Sequence, residues 1–373
     1  MNVPKLRFKE FNDEWSFTEL AKISSDISYG MGLASKEYDG VNKYIRITDI
    51  DETTNKYSNK DIVSPDGVLE DKYLVNKNDI LFARTGASTG KTYLYDEKDG
   101  KLYFAGFLIR ANIINHDANF IFQQTKTNKY NKWVKIMSMR SGQPGINSQE
   151  YGSYKFSITS PEEEEKISKT LNLLDKKIEL QTKKIEDLKL FKLCTAKIIF
   201  KDNSLLCKKQ LKELCNIVKG KQINSEFLSE TGEYYMLNGG INPSGFINEY
   251  NTNENTISIS EGGNSCGYVN FNKSKFWAGG HCYTITPIDI NNIYLYQILK
   301  YNENKIMDLR VGSGLPNIQK KDLENFSINV HRSNMQNKIA TILSSIDKLI
   351  DLEEKKINNI EKLKKGLMQN MFV

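Results

Sequence analysis

Residues 160–200 read SPEEEEKISKTLNLLDKKIELQTKKIEDLKLFKLCTAKIIF, and residues 333–372 read SNMQNKIATILSSIDKLIDLEEKKINNIEKLKKGLMQNMF. A constant shift of 172 lays one stretch on the other. Lys166 then meets Lys338, Ile167 meets Ile339, Leu171 meets Leu343, Asp175 meets Asp347, Ile185 meets Ile357 and Phe200 meets Phe372. Each stretch opens with a capping-box spacing, Ser160 before Glu163 and Ser333 before Gln336. In such a box the hydroxyl takes an orphan N–H and the acid or amide reaches back. Pro161 suits a first helical position, and the run Glu162 to Glu165 reads as a solvent-facing first turn at the positive helix end.

Apolar residues recur at alternating steps of four and three: Ile167, Leu171, Leu174, Ile178, then Ile185 and Leu188. The second stretch gives Ile339, Leu343, Ile346, Ile350, then Ile357 and Ile360. This heptad seam predicts coiled-coil packing. Polar Gln181 and Glu353 interrupt it at matching places, which costs stability and fixes register. Two matched helices of about 60 Å, at 1.5 Å per residue, pack most simply on each other as an antiparallel pair.

The segments before the helices repeat more weakly. In the first, Trp15 to Ile23 reads as a strand or short helix, and Tyr44 to Ile50 as a strand. Asp79 to Ala83 reads as a buried strand, Tyr103 to Ile114 as a strand region, Ile121 to Met139 as helical, and Tyr154 to Ile158 as a last strand. In the second, Glu213-Leu214 echoes Glu19-Leu20, and ISISEGGNSCG from Ile257 echoes ILFARTGASTG from Ile80. GGHCYTI from Gly279 echoes Gly106 to Arg110, Ile293 to Met307 is again helical, and RVGSGLP from Arg310 echoes RSGQP from Arg140. The expected class is therefore α+β, a tandem duplication. A β-rich domain over 1–159 precedes a long helix over 160–200; a second domain over 201–332 precedes a second helix over 333–373.

Composition bounds function. The 373 residues carry 52 basic and 46 acidic side chains, net +6, which permits nucleic-acid binding without demanding it. No apolar run approaches a membrane span and the N-terminus has no secretory core, which predicts a cytoplasmic protein. Five cysteines without a C-x-x-C pair argue for reduced thiols, and against a disulfide framework or zinc. Gly86 to Thr92 has three residues between its glycines where a phosphate-binding P-loop needs four, so it reads as a turn between strands. Asn242 to Phe246 lacks the second proline of the Asn-Pro-Pro-aromatic signature of amino-group methyltransferases and also reads as a turn. His281-Cys282 is the one tight His/Cys pair and reads as a strand residue with a satisfied ring; no catalytic constellation or metal site stands out.

The polar, glycine-bearing loops stand out as a set. Their side chains are of the types that pair with base edges and phosphates. The candidates for contact with DNA are Tyr29, Arg84, Ser88, Lys91, Arg140, Gln143 and Asn147 in the first domain. In the second they are Lys221, Gln222, Asn264, Ser265, Arg310, Ser313 and Asn317.

In the order of these features the chain resembles the specificity (S) subunit of type I restriction–modification systems. The duplicated helices, DILFARTGASTG at 79–90, ISISEGGNSCGYV at 257–269, FWAGGHCYTI at 276–285 and the Gly-x-Pro turns at Gly142 and Gly314 carry the resemblance, which spans essentially the whole chain. Such subunits often carry Pro-Pro-x-x-Glu-Gln before the helices; Glu164-Glu165 and Met335-Gln336 stand there instead. The resemblance implies a non-catalytic reader of double-stranded DNA. Each target-recognition domain would take one half of a split, asymmetric target. The helices would set the gap and dock two modification (methyltransferase) subunits. S-adenosylmethionine, ATP and magnesium would belong to those and to the restriction subunits, none to this chain. The rival readings are the recognition region of a fused restriction-methyltransferase and a coiled-coil adaptor with no DNA role.

Overall fold

The computed structural model describes residues 2–139, 143–201, 206–312, 314 and 316–373. The chain divides into two compact units, one of residues 1–180 with 357–373, the other of residues 181–356. The long helices are Pro161–Lys201 and Ser333–Met371, and each contributes one half to each unit.

Each unit is a small β-rich head on a helix pair. In the first head, Ser24–Tyr29, Leu108–Ile113, Asp79–Ala83 and Thr92–Leu94 form an antiparallel sheet in that order. In the second, Cys215–Lys219, Cys282–Pro287, Thr256–Ser260 and Val269–Asn272 form the same sheet in the same order. The strand that enters each head pairs antiparallel with the strand that leaves it, Ser16 opposite Ile158 and Gln210 opposite Ser327. Asp79–Ala83 is buried along its whole length, as its apolar run requires.

Several boundaries differ from the sequence expectation for identifiable reasons. Tyr44 to Ile50 is a short strand, Lys43–Ile45, then a 3-10 turn, because the Asp49 carboxylate takes the Arg46 N–H and guanidinium. The region 121–139 is two helices, Ala118–Gln124 and Asn128–Met137, because the Thr125 hydroxyl turns back to Phe122 O and Thr127 caps the second. Glu213 does not correspond to Glu19: Leu20 N donates to Tyr154 O and Leu211 N donates to Phe326 O, so Glu19 corresponds to Gln210.

The seam residues point inward. Leu171, Ile185, Leu343, Ile346 and Ile350 are buried, and Leu174, Ile178, Leu188, Ile357 and Ile360 are half-buried. In the first unit Lys364 reaches Asp175 at 2.5 Å, and Gln123 of the head donates to the same carboxylate at 3.4 Å. In the second unit Lys192 reaches Asp347 at 2.6 Å, and Gln297 donates to it at 2.6 Å. Under the 172 shift Lys192 matches Lys364 and Asp175 matches Asp347. In the second unit Lys184 also meets Glu353 at 3.0 Å, and in the first Leu6-Arg7 bridges Asn370 and Glu163. Partner numbers thus fall along one helix half as they rise along the other: the halves are antiparallel, and one carboxylate ties both to the head.

The helix starts hold a correction. Glu163 and Glu164 do not face solvent; both side chains are fully buried. Glu163 takes a two-point contact from Arg7, at 2.7 and 2.8 Å, with further bonds from Trp15 Nε1 and the Thr159 hydroxyl. Glu164 accepts Asp117 N at 3.0 Å, and Asp117 caps the head helix that follows it. Gln336, its counterpart, accepts Asn291 N at 3.3 Å, and Asn291 caps the equivalent helix. These side chains bind the head instead of closing a capping box. Ser160 still accepts Glu163 N at 3.4 Å, whereas Ser333 already lies inside its helix.

Candidate nucleic-acid interface

In the first head the loops around Tyr29, Arg84, Phe107 and Gln143 to Ser148 meet at one corner. Strand-like bonds hold them: Arg84 N donates to Phe107 O at 3.0 Å, Ile146 N to Arg84 O at 2.9 Å and Gly86 N to Pro144 O at 2.9 Å. The second head repeats the frame: Glu261 N donates to His281 O at 2.9 Å, Ile318 N to Glu261 O at 2.8 Å and Gly263 N to Pro316 O at 3.0 Å. Gly86 and Gly263 share a left-handed backbone, φ 70° and 75°, which glycine adopts without strain.

Gly30 and Gly220 are fixed by close approach. A Cβ on Gly30 would stand 2.3 Å from Ala105 O, and one on Gly220 2.3 Å from Gly279 O. Because backbone blocks both positions, Gly30→Ala or Gly220→Ala is expected to cost about 3 kcal/mol. The apparent unfolding midpoint of that unit should fall by about 8 °C. A calorimetric shift below about 2 °C would show that the loops yield.

The structure brings five of the first domain's candidates to this corner. Tyr29 accepts Ser148 N on its hydroxyl at 3.0 Å, and the Arg84 guanidinium lies 4.7 Å from the Tyr29 ring centre. Ser88 ends the short turn Gly86–Ser88, and Gln143 is exposed beside Gly86. Asn147 spends its carbonyl capping the helix Ser148–Ser153, accepting Glu150 N at 2.9 Å, so part of its polar capacity is structural. Lys91 pairs with Glu52 at 2.6 Å instead of standing free. Arg140 lies outside the described residues.

In the second head Asn264, Arg310 and Asn317 are exposed and Ser265 is half-buried. Lys221 and Gln222 are exposed beyond Gly220, and Gln222 Oε1 would crowd a Cβ on Gly280. Asn317 bridges Gly262 and Val311 through its backbone and accepts Gln319 Nε2 at 3.1 Å. Ser313 lies outside the described residues.

Sequence reasoning missed Phe107, which is 61% exposed, and placed His281 in a strand. His281 instead precedes the strand Cys282–Pro287, with its ring exposed and Nδ1 3.2 Å from Glu261 Oε2. Glu261 is buried and also meets Lys219 at 2.5 Å and the Tyr283 hydroxyl at 3.1 Å. The available signal was the alignment of GGH with AGF, each a small residue and a glycine before a side chain that must leave the sheet.

Two equivalent heads with corners of unlike chemistry, each joined to a long helix, define a tandem two-headed protein. The chain belongs to the type I restriction modification DNA specificity domain family, whose model matches residues 14–190 and 205–362. It is 36% identical over 182 residues to a Mycoplasma pneumoniae protein named as a type I specificity subunit, a match spanning 48% of each chain. It is 26% identical to a Methanocaldococcus jannaschii protein named as a type I restriction enzyme specificity subunit, over 98% of this chain and 95% of that one. The crystal structure of the type I S subunit of Mycoplasma genitalium superposes with a TM-score of 0.72 at 20% identity, covering 100% of this chain and 99% of that one. The match spans 48% and 42% of the first two curated relatives, about half their length or less.

Proposed function

We propose that this chain is the DNA-reading specificity subunit of a type I restriction–modification complex. Each head reads one half of a split duplex target, and the paired helices set the interval between the halves. The observation that carries this reading is the pair of equivalent loop corners, held by matching backbone bonds and filled with different polar side chains. Like frames with unlike side chains suit unlike half-sites, so the target is asymmetric.

Two modification subunits dock on the helices and bring S-adenosylmethionine; restriction subunits bring ATP and magnesium. A repeated exposed apolar pattern supports two copies of one partner. Leu180 and Leu352 are 60% and 49% exposed, Phe191 and Leu363 59% and 54%, and each pair is related by the 172 shift. Such side chains on a helix face are costly in water unless another surface covers them.

Exchange of residues 201–332 for the corresponding head of another member tests the reading. The entering and leaving strands of each head pair with each other, so the graft carries its own closure. Mapping of methylated adenines, with the modification subunits co-expressed, is expected to show one half-site replaced and the other retained. Replacement of both half-sites would argue against separate readers.

A further inference from the structure

The equivalent corners place three side chains of the first head where three of the second stand. Gly30 N donates to Leu108 O and Gly220 N to Cys282 O, which sets Tyr29 against Lys219. The bonds from Arg84 N to Phe107 O and from Glu261 N to His281 O set Arg84 against Glu261 and Phe107 against His281. At one position a cation replaces an anion, at another a ring without polar atoms replaces an imidazole.

Neither set reads as packing. Phe107 is 61% exposed, an unfavourable place for a phenyl ring with no surface to cover. Arg84 is held against the Tyr29 ring, which orients its planar donor fork. In the second head a nearly buried carboxylate is retained, its side chain 11% exposed, while its partners Lys219 and His281 are 50% and 61% exposed. A buried charge is weak support for stability and is more readily understood as holding its partners in place.

We propose that Tyr29–Arg84–Phe107 and Lys219–Glu261–His281 are the specificity-determining triads of the two heads. This rests on the DNA-reading function proposed above. Arg84 offers the paired donors that match guanine O6 and N7, and Phe107 offers an apolar face of the kind that meets a thymine methyl. Lys219 donates to a base acceptor beside the His281 ring. Glu261 is a positioning residue, aiming both.

The test uses the full chain with its modification subunits and duplexes carrying each of the four base pairs at every target position. Competition among these duplexes reads preference independently of total affinity. R84Q and F107A are expected to lose about tenfold discrimination at one or two positions of the first half-site, leaving the second unchanged. K219A and H281A should do the same in the second half-site alone. E261Q keeps the shape of the side chain and is expected to blur the same positions as K219A and H281A. A merely structural role would not move base preference at single positions. Discrimination retained throughout, or weakened evenly across a half-site, would overturn the assignment. A complex of the unaltered chain that discriminates no half-site at all would instead overturn the DNA-reading function.

Discussion

Removing seven residues from each long helix, 180–186 from the first and 352–358 from the second, shortens the recognised spacer by about three base pairs. Seven residues are two helical turns, about 10.5 Å of rise, against roughly 34 Å for each ten base pairs of duplex. A heptad keeps the seam in phase. The deletion must be paired because the helix halves are tied antiparallel by Lys364 to Asp175 and by Lys192 to Asp347. Cutting one helix alone would pull one of these contacts out of register. Three base pairs also turn the duplex by about 100°, a strain that duplex and helices must absorb between them. Affinity for the shortened target should therefore be below that of the parent for its own. Methylated-adenine mapping gives the readout, and an unaltered spacer in a folded double deletion would reject the interval role of the helices.

Glu163→Ala is expected to be the most damaging single substitution in the first unit, costing about 3–5 kcal/mol. It would leave the Arg7 guanidinium without its two-point partner, and Trp15 Nε1 without an acceptor, at a helix start sealed from water. The apparent midpoint of that unit should fall by about 10 °C. Burial pushes the Glu163 carboxyl up, but bonds from Arg7, Thr159 and Trp15 outweigh it and hold the group below its ordinary value of 4.5. A carboxyl depressed in the folded state adds stability above its unfolded pKa, and that stability is lost as pH falls through the folded value. Acid titration of the parent should therefore show a loss of stability below about pH 4.5 that is smaller in Glu163→Gln. Equal stability of Glu163→Ala and parent, within about 0.5 kcal/mol, would contradict this account.

The helices were the most legible part of the chain, because a heptad written twice leaves few alternatives. Leu171 and Leu343 are both fully buried, as their seam positions require. Asp175 and Asp347 were visible as repeated residues, but each takes its partners from two separated elements, and no local pattern connects Gln123 to Lys364. Glu163 and Glu164 misled for a physical reason. Acidic residues at a helix N-terminus are favourable in water, and only tertiary contact with Arg7 and Asp117 shows that they are inside.

The loops were legible as a set and illegible singly. The offset between ILFARTGASTG and ISISEGGNSCG correctly matched Arg84 with Glu261 and Gly90 with Gly267. Phe107 drew no notice and His281 read as a strand residue with a satisfied ring, because an exposed aromatic beside a strand has the same composition as a buried one. Lys91 looked like a free donor until Glu52, 39 residues away, closed on it.

The first unit is sewn from two distant stretches: Phe372 packs its ring against Trp15 and Phe120, and Asn370 O accepts Leu6 N. Its counterpart Phe200 packs against Tyr294 and Tyr301 inside a unit made of uninterrupted chain. On the ribosome, residues 181–356 have therefore all emerged before the stretch that completes the earlier-made unit. The part translated first is the last to be sealed, and a message cut short near codon 356 would yield one finished half and one with its core open to water.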